Sequence, residues 1–363
     1  MKTHALLLLS AALLLASCAD NRPPSDIADA RTFTEADFRQ TVVSPRGEAV
    51  GPRQLLNPMR ILVFDSLLLT VDINTEKAIH VWSLKTGELL NEFCVRGRAA
   101  NEVFGIASFT RHPDGAHLNA GNASRILFYP LEGLLTPDLQ PDAIYNSPEP
   151  LLSPQLTADG NLLGAVEVPL FGGDTLSAPA RFRIQDRDGR LLDTFGSYPE
   201  VLRAQLNERV VRHLMGGYPL ISEDGKQVAL LGLAIDFLEI YDLDTRRRTA
   251  LMHGPEIIPP GKKPDADAPA IGPVQQMCYL WPQSAGGRIW ALYKGQRFYR
   301  EIAEAKDFRR NATVLLSFDW NGRPHTRYQF DHGIIHFDID ARNRCIYVLH
   351  DIDGEHRIMR YAY

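Results

Sequence analysis

The feature that most constrains this chain is a unit of turn, strand, turn and strand that recurs six times within its 363 residues. The first turns of the six units end at Ser66, Gly115, Gly160, Gly225, Gly287 and Asn343. Glycine, asparagine and aspartate at such turns suit hairpins that need a positive φ. Repeats of roughly 40–50 residues with four strands each are typical of propeller blades. The sequence therefore predicts an all-β fold, a six-bladed β-propeller.

The strands of each unit can be predicted one by one. In the clearest copy, residues 79–82 alternate with the period of two that a half-buried strand requires. The first strands are Leu67–Val71, Ala116–Ala120, Asn161–Val166, Gln227–Leu231, Arg288–Tyr293 and Cys345–His350. The second strands are Ile79–Leu84, Ile126–Leu131, Arg181–Asp186, Leu238–Leu243, Thr313–Trp320 and His356–Tyr361.

The last unit leaves room for only about two or three strands before Tyr363. A propeller closes when a strand from the other end of the chain completes that blade, which also removes an open sheet edge. We predict that Phe38–Val43 is this closing N-terminal strand, because its side chains alternate between the two faces. The segment before it would then lead directly into the closure point of the ring.

Three segments interrupt the β pattern. Residues 199–216 predict a short helical insertion near 200–215. Its apolar residues fall at steps of four, at Leu202, Leu206, Val210 and Leu214. Residues 254–273 are rich in proline and predict a long loop, and residues 298–310 suit a short helix. Long loops on a rigid scaffold often carry function, and a tolerated insertion is the alternative.

The first residues are typical of an export signal. Lys2 and His4 give a polar start, and residues 5–16 are almost unbroken Ala and Leu. This run is too short to span a bilayer as a helix, which needs about 20 residues. Leu15-Ala16-Ser17-Cys18 is similar to the lipobox of bacterial lipoproteins, in which the cysteine carries acyl chains. An ordinary signal peptide with a chance cysteine is the alternative.

These features predict three parts: a signal peptide (1–17), a lipidated tether (18–36) and the propeller (37–363). The lipobox implies a lipid-anchored protein of the bacterial cell envelope, at the outer membrane. Its membrane partner would be reached through the acyl group, such as palmitate, on Cys18. One acyl chain anchors a protein only marginally, whereas two or more hold it firmly.

Composition narrows the partners and the redox chemistry. The formal net charge of −5 argues against a nucleic-acid partner. Beyond Cys18 the chain has Cys94, Cys278 and Cys345, without Cys-x-x-Cys spacing. Such an odd set predicts neither a disulfide framework nor a zinc site. We interpret the three as small buried strand residues, with one disulfide among them as the alternative.

The segment after the first unit carries a family resemblance. Residues 93–103 read Phe-Cys-Val-Arg-Gly-Arg-Ala-Ala-Asn-Glu-Val. With its lipobox and six units, the chain resembles the TolB-like six-bladed propeller lipoproteins of the Bacteroidota over most of residues 40–363. Members tend to have a glycine-rich run here that ends Gly-x-Gly-Pro-x-Glu-Phe. Gly97, Arg98 and Glu102 match this run, whereas Ala99, Ala100 and Val103 depart from it.

The resemblance implies an exported protein that binds a ligand or partner. The candidate ligand-binding residues are Arg96, Arg98 and Glu102, since the two arginines suit an anionic partner and the last two residues match the family run. The departures at Ala99, Ala100 and Val103 mean that a loop function shared by the family does not follow from the resemblance.

No residue pattern predicts a metal, a cofactor or a catalytic residue. Within His332–Asp340, residues four apart on a strand lie about 13 Å from each other, too far to share an ion. Trp281, Trp290, Trp320 and Tyr293 suit a sugar-stacking surface or, as we favour, buried blade packing. Arg246–Arg248 are interpreted as a solvated hairpin turn.

Two functions are compatible with these observations. We favour a non-enzymatic binding module that contacts a protein, peptide or glycan through one propeller face. The alternative is a hydrolase or lyase that gathers histidines and carboxylates from several blades at the central channel. Histidines and carboxylates that converge at the channel mouth would favour the enzyme, whereas a lining of small apolar residues would exclude it.

Overall fold

A computed structural model gives the architecture of this chain. It describes residues 29–363 except 73, 113–114, 123, 148–150, 167–179, 204–210, 213, 255–275 and 298–311. The described strands form six sheets arranged as the blades of a β-propeller, which confirms the predicted fold.

Each blade has four antiparallel strands, taken here from the central channel outward. The innermost strands are β4 (Pro58–Phe64), β8 (Ser108–Arg111), β12 (Leu151–Leu156), β16 (Gly217–Ile221), β20 (Gln276–Ala285) and β24 (Gly333–Asp340). The second strands are β5 (Leu67–Asp72), β9 (His117–Gly121), β13 (Leu162–Val166), β17 (Gln227–Gly232), β21 (Arg288–Arg297) and β25 (Cys345–Ile352). The third strands are β6 (Lys77–Ser83), β10 (Arg125–Pro130), β14 (Phe182–Gln185), β18 (Phe237–Asp242), β22 (Val314–Asp319) and β26 (Glu355–Ala362). The fourth strands are β7 (Leu89–Val95), β11 (Ala143–Asn146), β15 (Leu191–Phe195), β19 (Arg248–His253), β23 (Pro324–Gln329) and, in blade six, β3 (Gly47–Ala49).

The two strands predicted for each repeated unit are the second and third strands of its blade. Every one of them begins within two residues of the predicted start. This agreement has a local cause, because alternation and turn residues are properties of short stretches of sequence.

The strand that closes the ring differs from the prediction. Blade six is completed by Gly47–Ala49, which pairs antiparallel with β26, and not by Phe38–Val43. Gly47 lies directly against the ring of Tyr361, where an added Cβ would approach that ring to 2.4 Å. The closing position therefore requires a glycine, a requirement set by a residue far along the chain.

The segment before the closing strand extends two other blades. Strand β1 (Arg31–Phe33) adds a fifth strand to blade four, parallel to β19. Strand β2 (Gln40–Val43) adds a fifth strand to blade five, parallel to β23. A short 3₁₀-helix, Glu35–Asp37, connects them. Pairing thus begins at Arg31, inside the segment predicted as tether, and the N-terminal segment runs along blades four, five and six in turn.

The hydrophobic core is divided among the seams between neighbouring blades. Each of the six seams has its own cluster of buried apolar side chains in the described residues. The seam between blades six and one packs Ile61 and Leu68 against Leu349 and Ile358. Full burial of such a side chain stabilises the fold by about 1.5–3 kcal/mol. The ring therefore closes through packing as well as through strand pairing.

The helical insertion is confirmed where the structure describes it. Glu200–Arg203 is α-helical, and residues 211, 212 and 214 are helical as well. Leu202 and Leu214 pack with Phe237 in a cluster on blade four, as the apolar steps of four predict. The described part of the chain contains no helix long and apolar enough to cross a membrane. The predicted segments 254–273 and 298–310 lie almost entirely outside the described residues.

The two faces of the propeller differ in their connections. Between the described strands, the four longest connections are residues 167–181, 196–216, 254–275 and 298–313. All four leave from and return to the face at which the innermost strands begin, here called the long-connection face. The opposite face, here called the short-turn face, carries shorter turns.

A buried charge cluster fastens the start of the described chain to the short-turn side of blade four. Glu239, whose side chain is 0% exposed, accepts a hydrogen bond from Arg248 Nη1 at 2.8 Å and another from Arg181. Arg248 also pairs with Asp29. The prediction of a solvated turn is thus wrong for Arg248, because Glu239 lies diagonally opposite on the adjacent strand.

Candidate functional site

The channel along the propeller axis brings side chains from all six blades together. It holds two adjoining cavities that share Phe109, Gln155 and Gln283. The short-turn cavity, of about 270 Å³, is lined by residues that include Leu62, Arg111, Gln155, Ser222, Glu223 and Asp338. The long-connection cavity, of about 40 Å³, is lined by residues that include Arg60, Ser108, Ser153, Tyr218, Trp281 and His336.

An ion pair between blades two and six spans the short-turn cavity. Arg111 donates to both carboxylate oxygens of Asp338, at 3.0 and 2.6 Å, and to the carbonyl of Val63 on the blade between them. The Val63 N–H donates to the same carboxylate at 2.7 Å. Burial opposes the charge of Arg111, but attraction to Asp338 outweighs it and raises the pKa of the guanidinium. This pair joins three blades where the ring closes.

A second acid of the short-turn cavity also holds blades together. Glu223 of blade four accepts hydrogen bonds from the backbone N–H groups of Gly286 and Gly287 in blade five, at 3.2 and 2.6 Å. Both Glu223 and Asp338 are thus engaged in contacts between blades. A general acid or base needs a carboxyl group that is available to a substrate, and these two groups are occupied.

The long-connection cavity contains a buried arginine on an aromatic ring. Arg60 is 7% exposed, and its guanidinium carbon lies 3.2 Å from the centroid of the Trp281 ring. Its Nη1 donates to the Met59 carbonyl at 3.1 Å. Among the described residues no carboxylate forms an ion pair with it. Burial lowers the pKa of Arg60 to about 10, so the group is still charged at neutral pH.

Two side chains in this cavity are held in place by strained backbone conformations. Trp281 has φ 50° and Ser153 has φ 42°, and each precedes a proline. Both lie where the inner strand shifts register against its neighbour, in blades five and three. Such conformations cost about 1–3 kcal/mol each and tend to occur at binding or catalytic sites. Here the bulge in blade five brings the indole against Arg60.

His336 from blade six completes the lining with a neutral ring. Its Nδ1 is 3.3 Å from the Ile61 nitrogen and accepts that N–H, so the neutral ring carries its hydrogen on Nε2. Burial and the nearby charge of Arg60 hold the pKa of His336 well below its usual value. The ring is therefore a neutral hydrogen-bond donor at physiological pH.

The predicted ligand-binding residues lie on the long-connection face, outside the channel. Arg98 and Glu102 line a shallow depression between blades one and two, and Arg98 lies 5.8 Å from the Phe104 ring. Glu102 folds back onto its own loop and accepts the Ala99 N–H at 2.8 Å. Arg96 follows strand β7 in the same loop. A ligand role for Arg96, Arg98 and Glu102 stays a prediction.

The aromatic residues of blade five do not share one surface. Trp290 is fully buried between blades and packs on Tyr328, as blade packing predicts. Trp281 lies in the channel instead. Tyr293 donates to Asp236 at 2.5 Å in a different cluster. Gly333–Asp340 forms an inner strand, as its alternation predicts.

That different cluster lies at the seam of blades four and five and includes the N-terminal segment. His253 contacts Asp236 through Nδ1 at 2.9 Å and Glu35 through Nε2 at 3.2 Å. Its ring stacks on Phe33 of β1 at 4.9 Å. Burial opposes the charge, but hydrogen bonds and attraction from the two carboxylates outweigh it and raise the pKa of His253.

The cysteines are strand residues, as predicted. Cys94 and Cys278 are buried and Cys345 is partly buried, and none of them is disulfide-bonded within the described residues. Burial raises the pKa of Cys94 to about 11. Cys18 and the signal peptide lie outside the described residues, so lipidation stays a prediction.

Sequence reasoning missed the side chains that converge in the channel. A local signal did exist for Arg60, because it is a lone charge within a strand that is otherwise apolar, and a weaker one for Asp338, which lies between two apolar residues of its strand. A charge at such a position indicates a specific environment, since burying an unpaired charge is costly. No signal could indicate that Arg111 reaches Asp338 while Arg60 reaches Trp281.

Comparison with known proteins agrees with this architecture. Residues 174–342 match the family model described as TolB-like 6-blade propeller-like. The fold is similar to that of a Bacteroides fragilis NCTC 9343 protein described as exported, with a TM-score of 0.53, 13% identity and coverage of 88% of this chain and 98% of that chain. It is also similar to the β-propeller domain of Cps50 (Swd1) from Myceliophteria thermophila, with a TM-score of 0.47, 11% identity and coverage of 86% and 99%. No curated protein matches the chain.

The class of protein is therefore a six-bladed β-propeller. The family match extends from the middle of blade three into blade six and supports the resemblance to TolB-like propellers over that part of the chain. At 13% identity the similarity to the exported protein concerns the fold alone.

Proposed function

We propose that this protein is a non-enzymatic binding module of the bacterial cell envelope, held by a lipid on Cys18, that contacts a protein, peptide or glycan through its long-connection face. The observation that carries the proposal is that the four longest connections all leave from and return to strand ends at that one face, where the donor-rich cavity of the channel also lies. Binding residues are disproportionately found on loops that a rigid scaffold positions.

The chemistry of the channel supports a binding module over the hydrolase or lyase alternative. The side chain of Asp338 is 1% exposed and held by Arg111, and Glu223 caps two backbone N–H groups. His336 accepts a backbone N–H and is neutral. Each of these groups has a structural role. His112 also lines the short-turn cavity, and its ring packs edge-on against His117 and Phe128. The two carboxylates beside it already have protein partners, which supports the binding module.

The position of Asp29 supports an orientation relative to the membrane. Asp29 pairs with Arg248, the first residue of β19, at the short-turn end of blade four. A tether from Cys18 would therefore join the propeller on its short-turn side. The long-connection face would then point away from the membrane and toward a partner.

Two exposed apolar residues of blade two allow a matched test of the face. Phe104 is 66% exposed on the long-connection face, and Leu135 is 54% exposed on the short-turn face. A photo-crosslinking phenylalanine analogue is placed at either position in the anchored protein and irradiated in intact cells. We expect discrete adducts from position 104 and only background from position 135. Equal labelling, or adducts from position 135 alone, contradicts the proposed face.

The lipid anchor is tested separately. Cys18→Ala should abolish labelling by a palmitate analogue and move the protein from the membrane fraction to the soluble fraction. Ser17→Ala leaves the cysteine and a small residue before it, so it serves as the matched control. Unchanged membrane retention of the Cys18→Ala variant contradicts the anchor.

A further inference from the structure

The long-connection cavity carries a positive charge without a counter-charge. The Arg60 guanidinium has five N–H donors, and the described protein supplies one carbonyl, that of Met59, and the face of Trp281. Buried charges in proteins are normally paired, because removal from water is otherwise costly. A bound anion would supply the missing charge and accept the remaining donors.

The rest of the lining also donates hydrogen bonds. Ser108 is 3% exposed, and its hydroxyl has no hydrogen-bond partner among the described residues. His336 keeps its hydrogen on Nε2, because Nδ1 accepts the Ile61 N–H. The residues that line this cavity include Arg60 and His336 but neither Asp nor Glu. Donors without carboxylates select an anion and disfavour a cation.

The size of the cavity restricts the anion. A volume of about 40 Å³ accommodates a small planar group such as a carboxylate. The adjoining short-turn cavity, of about 270 Å³, shares part of its lining and has room for the remainder of a small molecule. An arginine fork matches the two oxygens of a carboxylate, and Trp281 holds that fork in place by stacking.

We propose that the long-connection cavity binds the carboxylate group of a ligand, with Arg60 as its counter-charge and Ser108 as a further donor. This site goes beyond the partner-binding face proposed above, because it lies inside the channel and needs no macromolecular partner. The carboxylate could belong to a free organic acid or to the C-terminus of a short peptide.

The test titrates the mature chain with sodium acetate at constant ionic strength, using tryptophan fluorescence because Trp281 touches Arg60. Acetamide is the uncharged control of the same shape. We expect a saturable response to acetate and none to acetamide. Arg60→Met should weaken acetate binding at least about tenfold. Arg357→Met, which removes an exposed arginine of blade six outside the channel, should leave it unchanged.

Two further measurements identify the source of the carboxylate and keep the test decisive if a variant misfolds. The dipeptide Ala-Ala and its C-terminal amide are titrated in the same way. If Ala-Ala binds more tightly than acetate and its amide does not bind, the ligand is a peptide C-terminus. If acetate binds and Ala-Ala does not, the ligand is a free acid. If Arg60→Met fails to fold, Ser108→Ala decides, with an expected loss of at least about threefold in affinity. The proposal is overturned by the absence of a saturable acetate response, by an equal response to acetamide, or by unchanged affinity in the variant that folds. A failed crosslinking test at position 104 would leave this site standing.

Discussion

Two arginines reach the same channel from neighbouring blades and meet opposite environments. Arg111 finds a buried carboxylate, and the pair joins three blades. Arg60 finds an indole ring and a backbone carbonyl. Two histidines repeat the contrast, because His253 lies between Asp236 and Glu35 whereas His336 accepts a backbone N–H. The paired arginine thus joins blades of the ring, whereas Arg60 has a charge without a carboxylate partner among the described residues, and His336 is neutral.

The largest expected effect comes from breaking the paired arginine. Among the described residues, Arg111→Met leaves the Val63 N–H as the remaining partner of the Asp338 carboxylate, whose side chain is 1% exposed. Loss of one partner of a buried ion pair typically costs 3–5 kcal/mol, and we expect about 3 kcal/mol because a third of the Arg111 side chain is exposed. Urea unfolding measures the change. Adding Asp338→Asn to this variant should recover much of the loss, and a loss below about 1 kcal/mol contradicts the structural role of the pair.

The two histidines should show opposite pH dependence, with smaller effects. The pKa of His253 is raised in the folded state, so its contribution is complete below the unfolded pKa of about 6.5 and is lost as pH rises through the folded value. The pKa of His336 is lowered, so the folded protein loses stability as pH falls below about 6.5.

Unfolding experiments on His253→Gln and His336→Gln, each compared with the parent protein from pH 5 to 8, isolate the two contributions. The parent should lose its advantage over His253→Gln as pH rises, and should lose stability relative to His336→Gln as pH falls. If the difference in unfolding free energy between parent and variant changed with pH in the same direction for both histidines, the distinction between His253 and His336 would be wrong.

The smallest effect is expected at the unpaired arginine. Arg60→Met removes a cation–π contact but also removes a buried charge without a counter-charge, and these changes oppose each other. We expect the free energy of unfolding without acetate to change by less than about 1 kcal/mol. Arg111→Met is the matched control, because it makes the same substitution at another arginine of the same channel. A loss as large as that of Arg111→Met would show that Arg60 is structural.

Much of the blade framework can be predicted from sequence, and the channel cannot. The turns that end at Gly115, Gly160 and Gly225 indicate where the second strands begin. Each of these glycines has a positive φ, which other residues rarely adopt, so a glycine in the sequence marks the turn. The helical face of Leu202 and Leu214 is equally local. By contrast, the predicted closing strand Phe38–Val43 was wrong, because short alternating segments fit more than one sheet edge.

The sequence by itself determined the number of blades and the position of the second and third strands of each blade, since these depend on periodicity and turn residues within short stretches. Only the tertiary structure decided which N-terminal strand closes the ring and which charges in the channel have partners. Ile61 and His336, which share a hydrogen bond, are 275 residues apart. Contacts between residues so distant depend on how the blades pack around the ring, and that packing is set by the whole chain.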